Sequence, residues 1–333
     1  GQIDQWVGGK HWQKPHWGSD FFHAARQTPG AQEKLLSLAN DETMPGIVRA
    51  SAVAGLDSPS NPRTTETIRR QLTNPDPLVR VAALAALDRL PPDWRALLGQ
   101  ASLTDPIKAV RVEAARVLAA AYANVNGAAR AQLDAAIAEY IAVQDLNGDR
   151  PQSHMNLGVL YNDLGKPARA ERAYRQALLV DPSYYQAYIN LADLMRQQGN
   201  NEQAKARLLE AIALVPDAPQ AHHALGLTYV RLRQLDKALV ALEQAQQLNP
   251  SEPRYAYVYA VALEASGQLN AAVNYLKGAV FRFPGNRDIL YTLAVYAAKA
   301  GQIEAARKYA LELLRYYPED QQGLKLARQL GAQ

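Results

Sequence analysis

Residues 219–252 read PQAHHALGLTYVRLRQLDKALVALEQAQQLNPSE. In the first half, Leu225, Gly226 and Tyr229 fall on one stripe of a helix, and in the second half so do Ala238, Leu242 and Ala245. Pro250 lacks an N–H and ends the second segment. The same 34-residue frame recurs five times from residue 151. Alanine stands at position 20 of every copy (Ala170, Ala204, Ala238, Ala272, Ala306), and proline at position 32 (Pro182, Pro216, Pro250, Pro284, Pro318). A small residue and a helix stop in fixed columns of this period predict an array of stacked helical hairpins.

Other columns say how each hairpin closes. Position 7 is Leu157, Leu191, Leu225, Tyr259 and Leu293; position 8 is Gly158, Ala192, Gly226, Ala260 and Ala294. Small residues at positions 8 and 20 let two helix backbones approach, and larger ones at 7, 11 and 24 fill the remaining space. Position 15 is Gly165, Gly199, Gly267 and Gly301, which suits a left-handed cap before a tight turn. The third copy has Arg233 there, so its turn is expected to differ or to carry strain. Position 27 is alanine until Leu313 departs in the last copy.

These columns resemble the tetratricopeptide repeat family over residues 151–320, about half the chain. The resemblance implies an all-α, right-handed solenoid. At position 4, where the family often has tryptophan, stand His154, Tyr188, His222, Ala256 and Leu290. Residues 126–150 read as a connecting helix, half a repeat, with Ala136 and Tyr140 at its positions 20 and 24. Residues 321–333 read as a capping helix with Leu324, Ala327 and Leu330 facing inward, as the end of a solenoid requires.

A second period occupies residues 30–125. Ile47–Val48–Arg49, Leu78–Val79–Arg80 and Ala109–Val110–Arg111 are 31 residues apart, followed by Ala52, Ala83, Ala114 and by Leu56, Leu87, Leu118. Asp76–Pro77 and Asp105–Pro106 are helix-start signals; the first copy is degenerate there. The pattern resembles HEAT-like helical repeats. The arginine column reads as a structural ladder to nearby acids or carbonyls in preference to a ligand-binding row.

Residues 1–29 fit neither period. They hold Trp6, Trp12, Trp17, Phe21, Phe22, His11, His16 and His23. Aromatics this dense are expected to pack on the adjoining repeats or on an upstream domain. With the Phe22–Arg26 and Pro45–Leu56 stretches, the segment resembles the linker and repeat region of tetratricopeptide-containing multihaem c-type cytochromes. That resemblance implies the carboxy-terminal part of a periplasmic protein whose haem domain lies upstream; a cytoplasmic location is the alternative. The chain starts at Gly1 without a signal-peptide pattern, as a processed protein or a piece of a longer one would.

The composition narrows the chemistry. There is no cysteine, so disulfides, thiolate catalysis and covalent haem attachment are excluded from this chain. The formal net charge is +4, but no run of like charges makes a nucleic-acid footprint. No apolar stretch is long enough for a membrane span. The spacings of His11, His16 and His23 match no helical metal pair, and surface or aromatic-packed histidines are the simpler reading. Residues Asp145–Asp149 carry part of a calcium-loop pattern, but Asn156 stands where its closing glutamate belongs, so they read as a turn. No phosphate loop, nucleophile elbow, zinc-protease motif or dinucleotide fingerprint occurs. The sequence thus predicts no catalytic residues, no metal, no cofactor and no enzyme.

What remains is a groove. The resemblance implies that the first helices line a concave face through positions 2, 5, 9 and 12. The candidate partner-binding residues there are Ile189, Asp193, Arg196, His223, Leu227, Val230, Tyr257, Val261, Tyr291 and Val295. Leu227, Val230, Tyr257, Val261, Tyr291 and Val295 form an apolar set that suits a docked peptide or helix; packing against the chain's own elements is the other reading. Met155, Val159, Ile189 and His223 are not the family's basic set for acidic chaperone tails, so that partner is rejected. His222 is expected to face the core and His223 the other side. The expected function is a non-enzymatic scaffold for a protein or peptide, with a region of a redox protein as the alternative.

Overall fold

The computed structural model describes residues 17–25, 28, 30–56 and 62–331, and all regular structure among them is helical. They fall into two compact units: residues up to 148 with 159–166, and residues 149–158 with 167 onward.

The first unit contains α1 (Trp17–Ala25), α2 (Ala31–Asn40), α3 (Gly46–Ala54), α4 (Pro62–Gln71), α5 (Pro77–Ala86), α6 (Pro92–Gly99), α7 (Lys108–Ala119) and α8 (Ala128–Leu146). Helices α3, α5 and α7 begin 31 residues apart and pack on one another in succession. Their shared face is the column set read from the sequence: Ala52, Ala83 and Ala114 are fully buried, as are Leu87 and Leu118, with Leu56 at 1% exposure. Asp76 Oδ1 accepts from Leu78 N (2.9 Å) and Asp105 Oδ1 from Ile107 N (2.8 Å), which satisfies N–H groups at both helix starts.

The arginine column forms a ladder. Arg80 donates Nε and Nη2 to Asp105 (2.7 and 2.9 Å) and Nη1 to the Asn74 carbonyl (2.7 Å). Arg111 repeats the arrangement with Glu139 (2.9 Å) and the Asp105 carbonyl (2.7 Å). In the degenerate copy, among the described residues, Arg49 donates only to Gln71 Oε1, at 3.4 Å. The Arg80 and Asp105 side chains are 11% and 9% exposed, so removing either would strand a buried charge at a cost of about 3–5 kcal/mol. Helix α8 packs on α7 and belongs with this unit, with Ala136 and Tyr140 buried. Of the amino-terminal segment, Trp6, Trp12, His11 and His16 lie outside the described residues. The described part, α1, packs on α2 and pairs Asp20 with Lys34 (3.1 Å).

The repeats read from the sequence appear as helix pairs. They are α9 (Pro151–Asp163) with α10 (Pro167–Val180), α11 (Tyr185–Gln197) with α12 (Asn201–Leu214), α13 (Pro219–Arg231) with α14 (Leu235–Leu248), α15 (Pro253–Ala265) with α16 (Leu269–Arg282), and α17 (Arg287–Lys299) with α18 (Ile303–Tyr316); α19 (Gln321–Gln329) follows. From α11 onward each first helix packs on its own second helix, and each second helix packs on the next first helix. The alanines at position 20 are all fully buried, as are Ala177, Ala211, Ala245, Ala279 and Leu313 at position 27.

One finding corrects the sequence reading, and a second decides between the two alternatives it left for Arg233. In the capping helix, Leu326 and Ala327 are buried while Leu324 is only half-buried, because Leu326 faces the cluster of Ala294 and Ala310. The turn at Arg233 does not differ from the others. Its φ is 57°, against 65–85° at the four glycines, and Gln234 N donates to Tyr229 O (2.9 Å) as Gln268 N does to Leu263 O (2.9 Å). What remains there is strain, since a Cβ in the left-handed region crowds the following carbonyl.

Two substitutions test this account. Arg233→Gly is expected to raise stability by about 1 kcal/mol, read as a higher melting temperature. Gly226→Ala is expected to lower it by about 1–3 kcal/mol. A Cβ on Gly226 would lie 2.5 Å from Cγ of the fully buried Leu242 and 3.3 Å from the Ala238 carbonyl, so neither neighbour can give way.

Candidate functional site

The first helices of the second unit form one layer. Helix α11 packs on α13, α15 packs on α17, and the His223 ring of α13 lies against the Tyr255 ring of α15 (centroids 4.7 Å apart, planes tilted by 35°). The predicted groove residues sit along this layer, and they are not equally available. Val230 is exposed; Asp193, Arg196, Leu227, Tyr257, Val261, Tyr291 and Val295 are half-buried; Ile189 and His223 are buried.

Part of the apolar set is packed on the core. Tyr257 and Tyr291 pack against the cluster of Leu290, Leu293 and Leu276, and Tyr291 and Val295 pack against that of Ala294 and Leu326. Their other edges stay half-exposed. The Arg287 guanidinium lies 5.7 Å from the Tyr291 ring centre while its Nε donates to Asp320 (2.6 Å). Near Tyr257, burial pushes the Tyr296 phenol up to about 12, with Glu264 and Tyr257 adding to the effect.

The two adjacent histidines exchange the roles expected of them. His222 is half-buried, and its Nε2–H donates to the Pro216 carbonyl (2.7 Å). Tyr188 does the same one repeat earlier, its hydroxyl donating to Pro182 O (3.2 Å). Position 4 is therefore core only in the last two repeats, where Ala256 and Leu290 are buried, and in the second and third it seals the inter-repeat loop. His223 is the buried one, at 8% exposure, because Tyr255 from the next repeat covers it. Neither of its ring nitrogens has a hydrogen-bond partner among the described residues. Burial, then the nearby charges of Arg254 and Arg196, lower its pKa from 6.5 to about 4. Arg196 donates Nη2 to Asp193 (2.7 Å), while its Nε is buried without a partner. Arg254, exposed on α15, belongs to this group but was not singled out from sequence. Its signal was visible as the first departure from Gln152, Gln186 and Gln220 at position 2.

Other candidates resolve into structure. Among the described residues no cluster of three or more His, Cys, Asp or Glu could hold a metal ion, and no helix is long and apolar enough to cross a membrane. His23 lies beside Phe22 (5.9 Å), its Nδ1 3.3 Å from the Thr28 hydroxyl. The Asp145–Asp149 stretch is a helix end, with Asn147 Nδ2 donating to Val143 O (3.0 Å). In the first unit Arg116 donates to both Asp88 and Glu113 (2.7 Å each), and burial, reinforced by Asp88, raises the pKa of Asp163. A depression of about 280 Å³ is lined by Leu178, Leu191, Met195 and Arg207 among others, and contains none of the predicted groove residues.

Comparison with known proteins agrees with the helix pairs. Residues 151–184, 223–287 and 263–330 match models described as tetratricopeptide repeat, and residues 192–232 match one described as TPR repeat. The crystal structure of PilW, described as a widely conserved type IV pilus biogenesis factor, aligns with a TM-score of 0.50 at 20% identity, covering 65% of this chain and 97% of that one. PilF of Pseudomonas aeruginosa aligns with a TM-score of 0.47 at 22% identity over 66% and 97%. YrrB, described as a TPR protein with an unusual peptide-binding site, aligns with a TM-score of 0.44 at 21% identity over 56% and 96%. No curated protein matches the chain.

The burial of His223 generates a pH prediction. Its imidazole takes a proton near 6.5 when unfolded but only near 4 when folded, so the unfolded state binds more protons between these values. The stabilising effect is complete above about pH 6.5 and is lost as the pH falls towards 4, by about 3 kcal/mol in all. Denaturant melts across this window should show that loss in the wild type and a flatter profile in His223→Phe.

Proposed function

We propose, the carboxy-terminal half of this chain being a member of the tetratricopeptide repeat family, that the protein is a non-enzymatic scaffold which holds a peptide or protein partner against the first-helix layer of its repeats. The observation that carries this reading is the row Leu227, Val230, Tyr257, Val261, Tyr291 and Val295, which stays half-exposed or exposed along helices whose other faces are buried. Tyr257, Tyr291 and Val295 combine a packed stem with an open edge, so that part of the surface is preformed and loses little side-chain entropy on binding. Rigid aromatic groups of this kind make good anchors. An extended segment or an amphipathic helix both fit a row with this spacing.

A second reading makes this chain a region of a periplasmic redox protein with its haem domain upstream. It is supported by the sequence resemblance and by α1, where Trp17 and Phe22 remain 40% and 53% exposed. CxxCH motifs in the reading frame before Gly1 would support it, and a reading frame opening with Met near Gly1 would remove it.

The groove itself is tested with peptides selected from a random display library on the full chain. Tyr257→Ala with Tyr291→Ala is expected to weaken their binding about tenfold or more. Both rings also touch the core, so melting temperatures are measured in parallel, and Val230→Glu, at an exposed position, provides a variant that leaves packing intact. Undiminished binding by both variants would refute the groove.

A further inference from the structure

The chain holds two Asn–Gly pairs, Asn126–Gly127 and Asn147–Gly148, one at each end of α8. In such a pair the glycine amide nitrogen can attack the asparagine side-chain carbonyl, because glycine carries no side chain to hinder the approach. The fold treats the two pairs differently. At the carboxy-terminal end both residues are half-buried and both reacting groups are held: Asn147 Nδ2 donates to the Val143 carbonyl (3.0 Å), and Gly148 N donates to the Asp145 carbonyl (3.1 Å). At the amino-terminal end both residues are exposed. The Gly127 amide has no hydrogen-bond partner among the described residues, and the Asn126 amide makes only a 3.5 Å contact from Nδ2 to the Asn124 carbonyl. Nothing lies within 4 Å of the position that a Cβ on Gly127 would take, so water and hydroxide reach the pair. Arg130 adds a charge at this end. Its Nε donates to the Val125 carbonyl (2.9 Å), the group next to Asn126, and its guanidinium lies 3.9 Å from the Tyr122 ring centre without an ion pair among the described residues. A cation there favours the anion that forms when the Gly127 amide gives up its proton.

We propose that Asn126 is a modification site: it converts without an enzyme to aspartate and isoaspartate, while the fold protects Asn147. The Gly127 nitrogen loses its proton to water and bonds to Cγ of Asn126. The Cγ–Nδ2 bond breaks, and Nδ2 takes up a proton and leaves as ammonia, which closes a five-membered succinimide. Water then adds to one of the two imide carbonyls and opens the ring at that carbonyl's bond to nitrogen. Opening at Cγ leaves aspartate; opening at the main-chain carbonyl leaves isoaspartate, whose main chain runs through Cγ and is one atom longer. Nothing is oxidised or reduced. Either product places a carboxylate at the start of α8, where the cap residue Gly127 offers no side chain and the first turn holds no acid, so the helix dipole favours it. Isoaspartate has a further consequence. Val125, at 1% exposure, and the fully buried Leu133 fix the chain on either side, and the hydrogen bond from Arg130 to Val125 spans the site. An extra main-chain atom loosens that seam.

The test is incubation of the full chain in mildly alkaline buffer, with and without urea, followed by peptide mapping with mass spectrometry. In urea the two asparagines are expected to convert at similar rates, since each follows an aliphatic residue and precedes glycine. In the native chain Asn126 is expected to convert about tenfold or more faster than Asn147, which must first break two hydrogen bonds. Asn126→Asp is expected to melt at or above the wild-type temperature, and the purified isoaspartate form below it, which separates the effect of charge from that of chain length. Equal native rates at the two sites, faster conversion at Asn147, or no conversion at Asn126 while the unfolded chain reacts would each overturn the assignment. An isoaspartate form that melts with Asn126→Asp would remove the loosened seam.

Discussion

The close approach of two helices through positions 8 and 20 is the constraint on which the second unit depends. Ala238 is fully buried, and a single methyl group on Gly226 would already overlap Leu242. With nothing larger at that crossing, the two backbones approach until Leu225 and Leu242 close around them. The second helix then lies against the next first helix, and the first helices of successive repeats come side by side. A continuous face follows from the crossing, because each repeat presents positions 5 and 9 beside those of its neighbours. The half-exposed first-helix layer is thus a by-product of small residues on the opposite side of the same helices.

The first unit solves the same stacking problem with charge as well as small residues. Ala52, Ala83 and Ala114 give the close faces, while Arg80 and Arg111 tie each repeat to the next through Asp105 and Glu139 and also collect carbonyls left free at the turns. A buried ion pair adds little net stability compared with an apolar contact, but breaking it is costly, so it favours one register over a slipped one. The hairpins of the second unit need less of this, since their repeated left-handed turn already sets the register.

The fold was legible because its signals are local or periodic. Alanine at position 20, glycine at position 15 and proline at position 32 each act within one hairpin, and the structure places them as their chemistry requires. Even Arg233 obeys the turn, which shows that five repeats in phase override the preference of one residue. The candidate site was legible only in outline. The apolar row followed from the repeat register, but the exchange between His222 and His223 did not. His222 answers to a carbonyl six residues away, and that contact recurs at Tyr188, so it could have been read from the position 4 column. His223 is buried by Tyr255, 32 residues later, and no local pattern reports that contact. Leu326 replaced Leu324 for a similar reason, since the rotation of a terminal helix is set by the cluster it meets.

Burial of His223 stabilises the array only while the ring is neutral, and its cost is two ring nitrogens held away from water without protein partners. A purely structural position would be filled more stably by an aromatic hydrocarbon, which packs against Tyr255 without stranding a donor and an acceptor. The same holds for the Nε of Arg196 beside it. Two incompletely satisfied groups on neighbouring helices, both closed to solvent, make this a costly stretch of the layer to bury.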